Sequence, residues 1–176
     1  MLFKSHIESY LEDFGLLNDD RKVFLVENKR KVSFNKGFSK VVRVNALWID
    51  KDIKIKCDIA DTVEKKVSGL QGYKELGINR GMFFPYDPYT PVSFHQGSVS
   101  FPLDILFFED EYLVDIVENT KVGSKDNWKC SKCSGVLEVK AGFAKANRVK
   151  IGDRVLFCAV SERDLKEIEE ERGNTV

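Results

Sequence analysis

A mostly β fold of the α+β kind is predicted: a small β-barrel or sandwich decorated by an N-terminal, a middle and a C-terminal helix. Three observations predict it. About nine short runs rich in Val, Ile, Phe and Tyr alternate with polar or proline-bearing turns. Helical periodicity is confined to three short segments. The 13 phenylalanines, in a chain of 43% hydrophobic and 32% charged residues, supply an aromatic-rich core of soluble type. The 176 residues suit one domain with additions. Residues 1–50 are expected to form an N-terminal extension that packs on or docks beside the core, 51–160 the barrel-like core, and 161–176 a C-terminal helical tail.

Residues 3 to 17 place Phe3, Ile7, Tyr10, Phe14 and Leu17 at spacings of four and three, one face of an amphipathic helix. The chain then reads as β. Lys22 to Val26 and Lys31 to Phe34 flank the turn Glu27-Asn28-Lys29-Arg30, and Val41 to Val44 and Leu47 to Ile49 continue the pattern. Asp50-Lys51-Asp52 turns into Ile53 to Cys57, an alternating strand with one wet face. A helix is predicted over about 62–71, capped by Thr62, with Glu64 in its first turn and Val63, Val67 and Leu70 as its inward stripe. Gly69 within it suggests close approach to a neighbouring backbone.

Met82-Phe83-Phe84 is a short apolar strand, and Pro85 to Pro91 a proline-punctuated connection. Leu103 to Phe108 and Tyr112 to Val117 pair around Glu109-Asp110-Glu111. Val136 to Val139 is a strand, Ala141 to Ala146 one helical turn, and Asp153 to Val160 the last strand. Ser161 caps a final helix whose Glu167 to Glu171 stretch is a solvated face.

Four blocks in order resemble the domain of unknown function 192 family. Thr62-Val63-Glu64 leading to Gly69-Leu70 is similar to its threonine–acid helix ending in Gly-Leu-Met. Gly81-Met82-Phe83-Phe84 is similar to its Gly-Met-Leu-Phe strand. Phe94 through Asp104 is similar to Phe-Trp-Met-Lys-Asn-Thr-Leu-Ile-Pro-Leu-Asp. Leu137-Glu138 with Gly142, then Ile151-Gly152-Asp153, is similar to the closing segment. The resemblance covers about residues 55 to 160. His95, Gln96 and Gly97 stand where the family usually has Trp, Met and Lys. Gln71 replaces the Met of Gly-Leu-Met, and an Arg common just after it is absent. The resemblance implies a compact β-rich barrel or sandwich. It implies no established activity, so it carries over no catalytic residue.

Chemistry-bearing residues are few. Cys130-Ser131-Lys132-Cys133 is a lone Cys-x-x-Cys in a polar loop after Trp128, spaced to hold a metal or close a disulfide. Zinc would need about two more ligands, and the remaining candidates, His6, His95, Cys57 and Cys158, are distant in sequence. No cofactor is therefore expected, with zinc the one alternative. Cys57 and Cys158 sit in apolar strand patterns and read as core. His95 and Asp104 are the candidate acid–base pair; the simpler account of Asp104 is a carboxylate that accepts backbone amides and fixes a strand crossing. Glu138 alternates with Leu137 and Val139 and so faces the other side of its strand, while Asp153 reads as a turn residue. Phosphate-loop, dinucleotide, zinc-protease and nucleophile-elbow motifs are absent.

Net charge is zero, which argues against a nucleic-acid partner, although Phe34 to Lys40 mixes aromatics with lysines. No apolar run approaches the ~18–20 residues of a membrane span, and the N-terminus becomes charged too quickly for a signal peptide. A cytoplasmic product, or one built into a virion, is expected. The leading expectation is a non-catalytic interaction or assembly module whose partners are other protein chains, docked through Phe3, Ile7, Tyr10 and Phe14, as in a phage particle. The alternatives are a small-ligand binder or hydrolase-like enzyme with a pocket near Tyr86, His95, Gln96 and Asp104, and a metal or redox protein using Cys130 and Cys133.

Overall fold

A computed structural model describes residues 41–161, together with Glu170 and Gly173. The expected N-terminal helix with Phe3, Ile7, Tyr10 and Phe14 and the strands of 22–34 lie outside the described residues; of the expected C-terminal helix only Glu170 and Gly173 are described, both helical.

Seven strands occur among the described residues: β1 (Val41–Trp48), β2 (Lys54–Ile59), β3 (Arg80–His95), β4 (Leu103–Glu109), β5 (Tyr112–Val117), β6 (Asn127–Lys140) and β7 (Val155–Ser161). Two short helices join them, α1 (Val63–Ser68) and α2 (Phe143–Ala146). All seven strands form one sheet in the order β5-β4-β6-β3-β2-β1-β7. Only β2 and β3 run parallel, because α1 and its loops carry the chain across between them.

The sheet curls into a half-barrel rather than the expected closed barrel or sandwich. Its edge strands meet at one end only. There an isolated bridge joins Tyr112 to Arg154, Leu113 N–H donates to the Asp153 carbonyl at 2.9 Å and Val155 N–H to that of Glu111 at 2.7 Å. The Arg154 guanidinium also donates to the buried Glu111 carboxylate at 2.8 Å. Further along, β5 and β7 diverge, so no ladder closes the ring.

Strand alternation sorts the apolar residues onto two faces. The inner cluster holds Trp48, Ile55, Phe83, Leu106, Phe108, Leu137, Phe143 and Phe157. Phe83 stacks on Phe157 at 4.3 Å between ring centroids, and Phe108 meets Phe157 edge-on at 5.0 Å. The outer cluster covers the other face of β3, β4 and β6 with Leu70, Leu76, Met82, Phe84, Ile105, Phe107 and Val136. Cys57 and Cys158 are fully buried, as their patterns predict.

Three local expectations are corrected. Pro85 to Pro91 is not a connection but part of the 16-residue β3. Register shifts on either side of Thr90 absorb the prolines, which cannot donate to a regular ladder. The segment with Cys130 and Cys133 is likewise strand β6, not a polar loop. The middle helix spans Val63–Ser68 only. Thr62 caps it as predicted, accepting from Lys65 N at 3.2 Å. Gly69 ends it at φ +49 instead of lying within it, and a Cβ there would meet the Phe84 ring rather than a backbone. Because the helix stops at Ser68, Leu70 leaves the stripe and enters the outer cluster, while Val63 and Val67 stay 74% and 72% exposed.

Candidate functional site

The site is built around Glu138 at the centre of β6. Leu137 and Val139 face inward, so alternation turns Glu138 to the outer face. Its cross-strand neighbours there are Met82 of β3 and Ile105 of β4, both apolar and buried. The residue is 5% exposed. No hydrogen bond or ion pair to its carboxyl occurs among the described residues. Burial alone pushes its pKa up to about 8, because the charged form loses its hydration without a compensating cation.

Tyr86 of β3 lies on the same side, half-buried against the outer cluster. Burial, followed by the charges of Cys133 and Glu138, pushes its phenol up to about 12. Tyr86 and Phe84 both meet Phe94 edge-on, at 6.4 and 5.0 Å between centroids, which makes an aromatic wall. Lys66 of α1 holds its ammonium 4.1 Å from the Tyr86 ring centroid and donates to the Pro85 carbonyl. Desolvation lowers its pKa. At neutral pH the outer face therefore offers a carboxylic acid and a phenol, both protonated, beside aromatic surface. The arrangement can donate hydrogen bonds to a ligand's oxygen atoms and cover its apolar body.

The sequence-predicted pocket residues separate. Asp104 is fully buried, but it alternates with Leu103 and Ile105 and so points inward. It accepts Asn119 N–H at 2.8 Å and Ala144 N–H at 2.9 Å, the architectural role expected for it. His95 is exposed at the end of β3, with no hydrogen bond to Asp104; the acid–base pair does not form. Gln96 is 1% exposed. Its amide donates to the carbonyls of Val99 and Phe101 at 3.1 and 2.8 Å, which folds the loop before β4, and its Oε1 is buried without a partner. Among the predicted pocket residues, only Tyr86 falls within electrostatic reach of Glu138. Lys66 escaped sequence reasoning; its register to Tyr86 depends on a crossover loop that no periodicity reveals. Glu138 carried a signal, an acid inside the apolar run Val136 to Val139, but so did Asp104.

Cys130 and Cys133 are free thiols, the first partly and the second fully buried. No group of three or more metal-ligating side chains occurs among the described residues. No helix there is long and apolar enough to cross a membrane.

Fold and site define a small half-barrel domain with a lone buried acid on the outer face of its sheet. Two crystal structures share that fold. One, from Novosphingobium aromaticivorans, is a protein of unknown function; it has a TM-score of 0.61 and 24% identity over 74% of this chain and 94% of that one. The other, from Sinorhizobium meliloti 1021, is described as a candidate transcription regulator; it has a TM-score of 0.60 and 23% identity over 69% of this chain and 96% of that one. No curated protein matches the sequence. The chain belongs to the DUF192 family, described as an uncharacterised ACR, whose profile matches residues 45–157.

Proposed function

We propose that the protein binds a small organic ligand on the outer face of its sheet, with Glu138 as the central contact and Tyr86 and Phe94 beside it. One observation carries this reading: Glu138 is 5% exposed among apolar neighbours, its carboxyl has no hydrogen-bonding partner among the described residues, and its oxygens still reach the surface, since neither is among the fully buried unpartnered atoms. A buried polar group in that state destabilises the fold, and nothing in the ladder requires an acid there. Acids of this kind cluster at binding and catalytic sites. The complementary ligand presents acceptor oxygens on an apolar body.

The test is a thermal-shift screen of the full chain against neutral polyols, sugars and aromatic carbonyl compounds. A ligand at about 100 times its Kd should stabilise by about 2.7 kcal/mol, a rise in Tm of about 5–10 °C at this size. Glu138→Gln should abolish the rise. A hit that survives this substitution overturns the assignment of Glu138.

A second reading, the interaction module expected from the sequence, draws on Val63 and Val67. They are one helical turn apart and both largely exposed on α1. It replaces the first if no compound binds and the chain self-associates in sedimentation through a contact that Val63→Lys with Val67→Lys removes.

A further inference from the structure

The pair Cys130 and Cys133 sits on β6 where four residues of that strand, 130–133, lie opposite three of β3, 90–92. Cys133 pairs with Thr90 and Cys130 with Val92, and the register shifts between them. In a regular strand, residues three apart point to opposite faces. The extra residue of the bulge cancels that alternation. Both side chains consequently enter the outer cluster, Cys133 as a fully buried member and Cys130 packed partly buried against it. The bulge also shortens the span. The three-residue step from Cys130 to Cys133 covers the same length as the two-residue step from Thr90 to Val92, ~6–7 Å for extended chain, which is the upper end of the Cα separation a disulfide bridges.

We infer that Cys130 and Cys133 form a reversible dithiol–disulfide site, oxidised by a low-molecular-weight disulfide, with Cys130 as the attacking thiol and Cys133 as the resolving one. The order follows from access. Cys130 is partly exposed, and its Sγ–H donates only a 3.5 Å bond to the Lys132 carbonyl. Cys133 is closed off and donates to the Gly135 carbonyl at 3.1 Å; burial, then the neighbouring Cys130 charge, pushes its pKa up to about 12. A thiol held protonated is a slow first attacker.

In the first step the Cys130 thiolate bonds to one sulfur of the reagent and expels the other as a thiolate. In the second, Cys133 gives its proton to solvent and attacks the Cys130 sulfur, which releases the second reagent thiol. Two protein thiols become one disulfide, and two electrons and two protons leave with the reagent as two thiols. Cys57 and Cys158 take no part: both are fully buried in strands, and burial raises both thiol pKa values.

The site can be tested with the full reduced chain in glutathione redox buffers. Free thiols are blocked, and the protein is digested with trypsin. Cleavage after Lys129, Lys132 and Lys140 separates the two cysteines, so an intramolecular bond appears as peptide 130–132 linked to peptide 133–140. The expected result is that linked pair, reversed by reduced glutathione, with Cys57 and Cys158 blocked as free thiols. Cys133→Ser should accumulate a glutathione adduct on Cys130. Cys130→Ser should react at Cys133 at least about tenfold more slowly. The inference is overturned by a stable mixed adduct on the wild type without the linked pair, by equal reactivity of Cys57 or Cys158, or by a stoichiometric metal ion that these thiols retain as purified.

Discussion

Replacing Glu138 by Gln should change how stability depends on pH, and the direction of the change separates a functional acid from a structural one. In the folded chain the acid titrates near 8, against 4.5 for the ordinary group, because burial opposes ionisation. Between those values the folded state holds a proton that the unfolded state has released. Unfolding stability then falls as pH rises through the window. Below 4.5 both states are protonated and there is no penalty; above 8 both are ionised and the penalty is complete. At about 1.4 kcal/mol per pH unit, the penalty in the wild type reaches about 3 kcal/mol at pH 7.

Gln keeps the shape and cannot ionise. Any fixed effect of the buried amide enters at every pH, and the other titrations cancel between the two proteins. The stability of Glu138→Gln relative to the wild type should therefore climb by about 2–3 kcal/mol from pH 5 to pH 7. Urea unfolding at several pH values, with the slope m checked for constancy, reads this directly. A difference that is flat with pH, or that falls, means that Glu138 is partnered or solvated in the folded state, and the case for a ligand at this position fails with it.

Asp104 should instead prove structural. Asp104→Ala leaves the buried Ala144 amide and the partly buried Asn119 amide without acceptors, for a loss of roughly 2–4 kcal/mol measurable by urea unfolding; a loss below about 1 kcal/mol would show that the loops do not need the tie. At Gly135 an added Cβ would stand 2.7 Å from two ring carbons of Phe83, whose ring is held by its stack on Phe157. Gly135→Ala should lower stability by about 1–3 kcal/mol, and shrinking the neighbour with Phe83→Leu should make the pair less than additive.

Much of the fold is legible in the sequence wherever information is local. The β2, β4, β5 and β7 patterns, the Thr62 cap, the hairpin at Asp110 and the turn of α2 all follow from periodicity and turn chemistry within a few residues. Two of the failures share one cause, which is partner strands. Nothing within Pro85 to Pro91 announces a strand, because three prolines remove donors; only the ladder offered by β6, with two register shifts, keeps the segment extended. The same ladder explains Cys130 and Cys133, whose polar neighbours read as a loop. Val63 and Val67 fit an inward stripe by spacing, yet burial depends on where the helix ends, and Gly69 ends it before Leu70. Closure of the barrel was illegible too, since it turns on whether β5 and β7 meet along their length or at one end.

The site shows the same division. Asp104 and Glu138 are alike in sequence, each a carboxylate set into an apolar strand, and each is almost wholly buried. Alternation even predicts their faces. What distinguishes them arrives from elsewhere: Asp104 receives amides from residues 15 and 40 positions away, and Glu138 receives none. An acid that ties two loops to a strand is accounted for by the fold it maintains. An acid that weakens its own strand is not, since Gln, Val or Thr would fill the same place on β6 without an ionisable group. Among the described residues the five side chains around Glu138, those of Val136, Leu137, Val139, Met82 and Ile105, are apolar and buried, so β6 holds Glu138 at the expense of stability, and on the proposed reading a ligand contact offsets that loss. That is why the pH dependence of one substitution bears on function: it measures whether the destabilisation exists, and without it no ligand is needed to explain the residue.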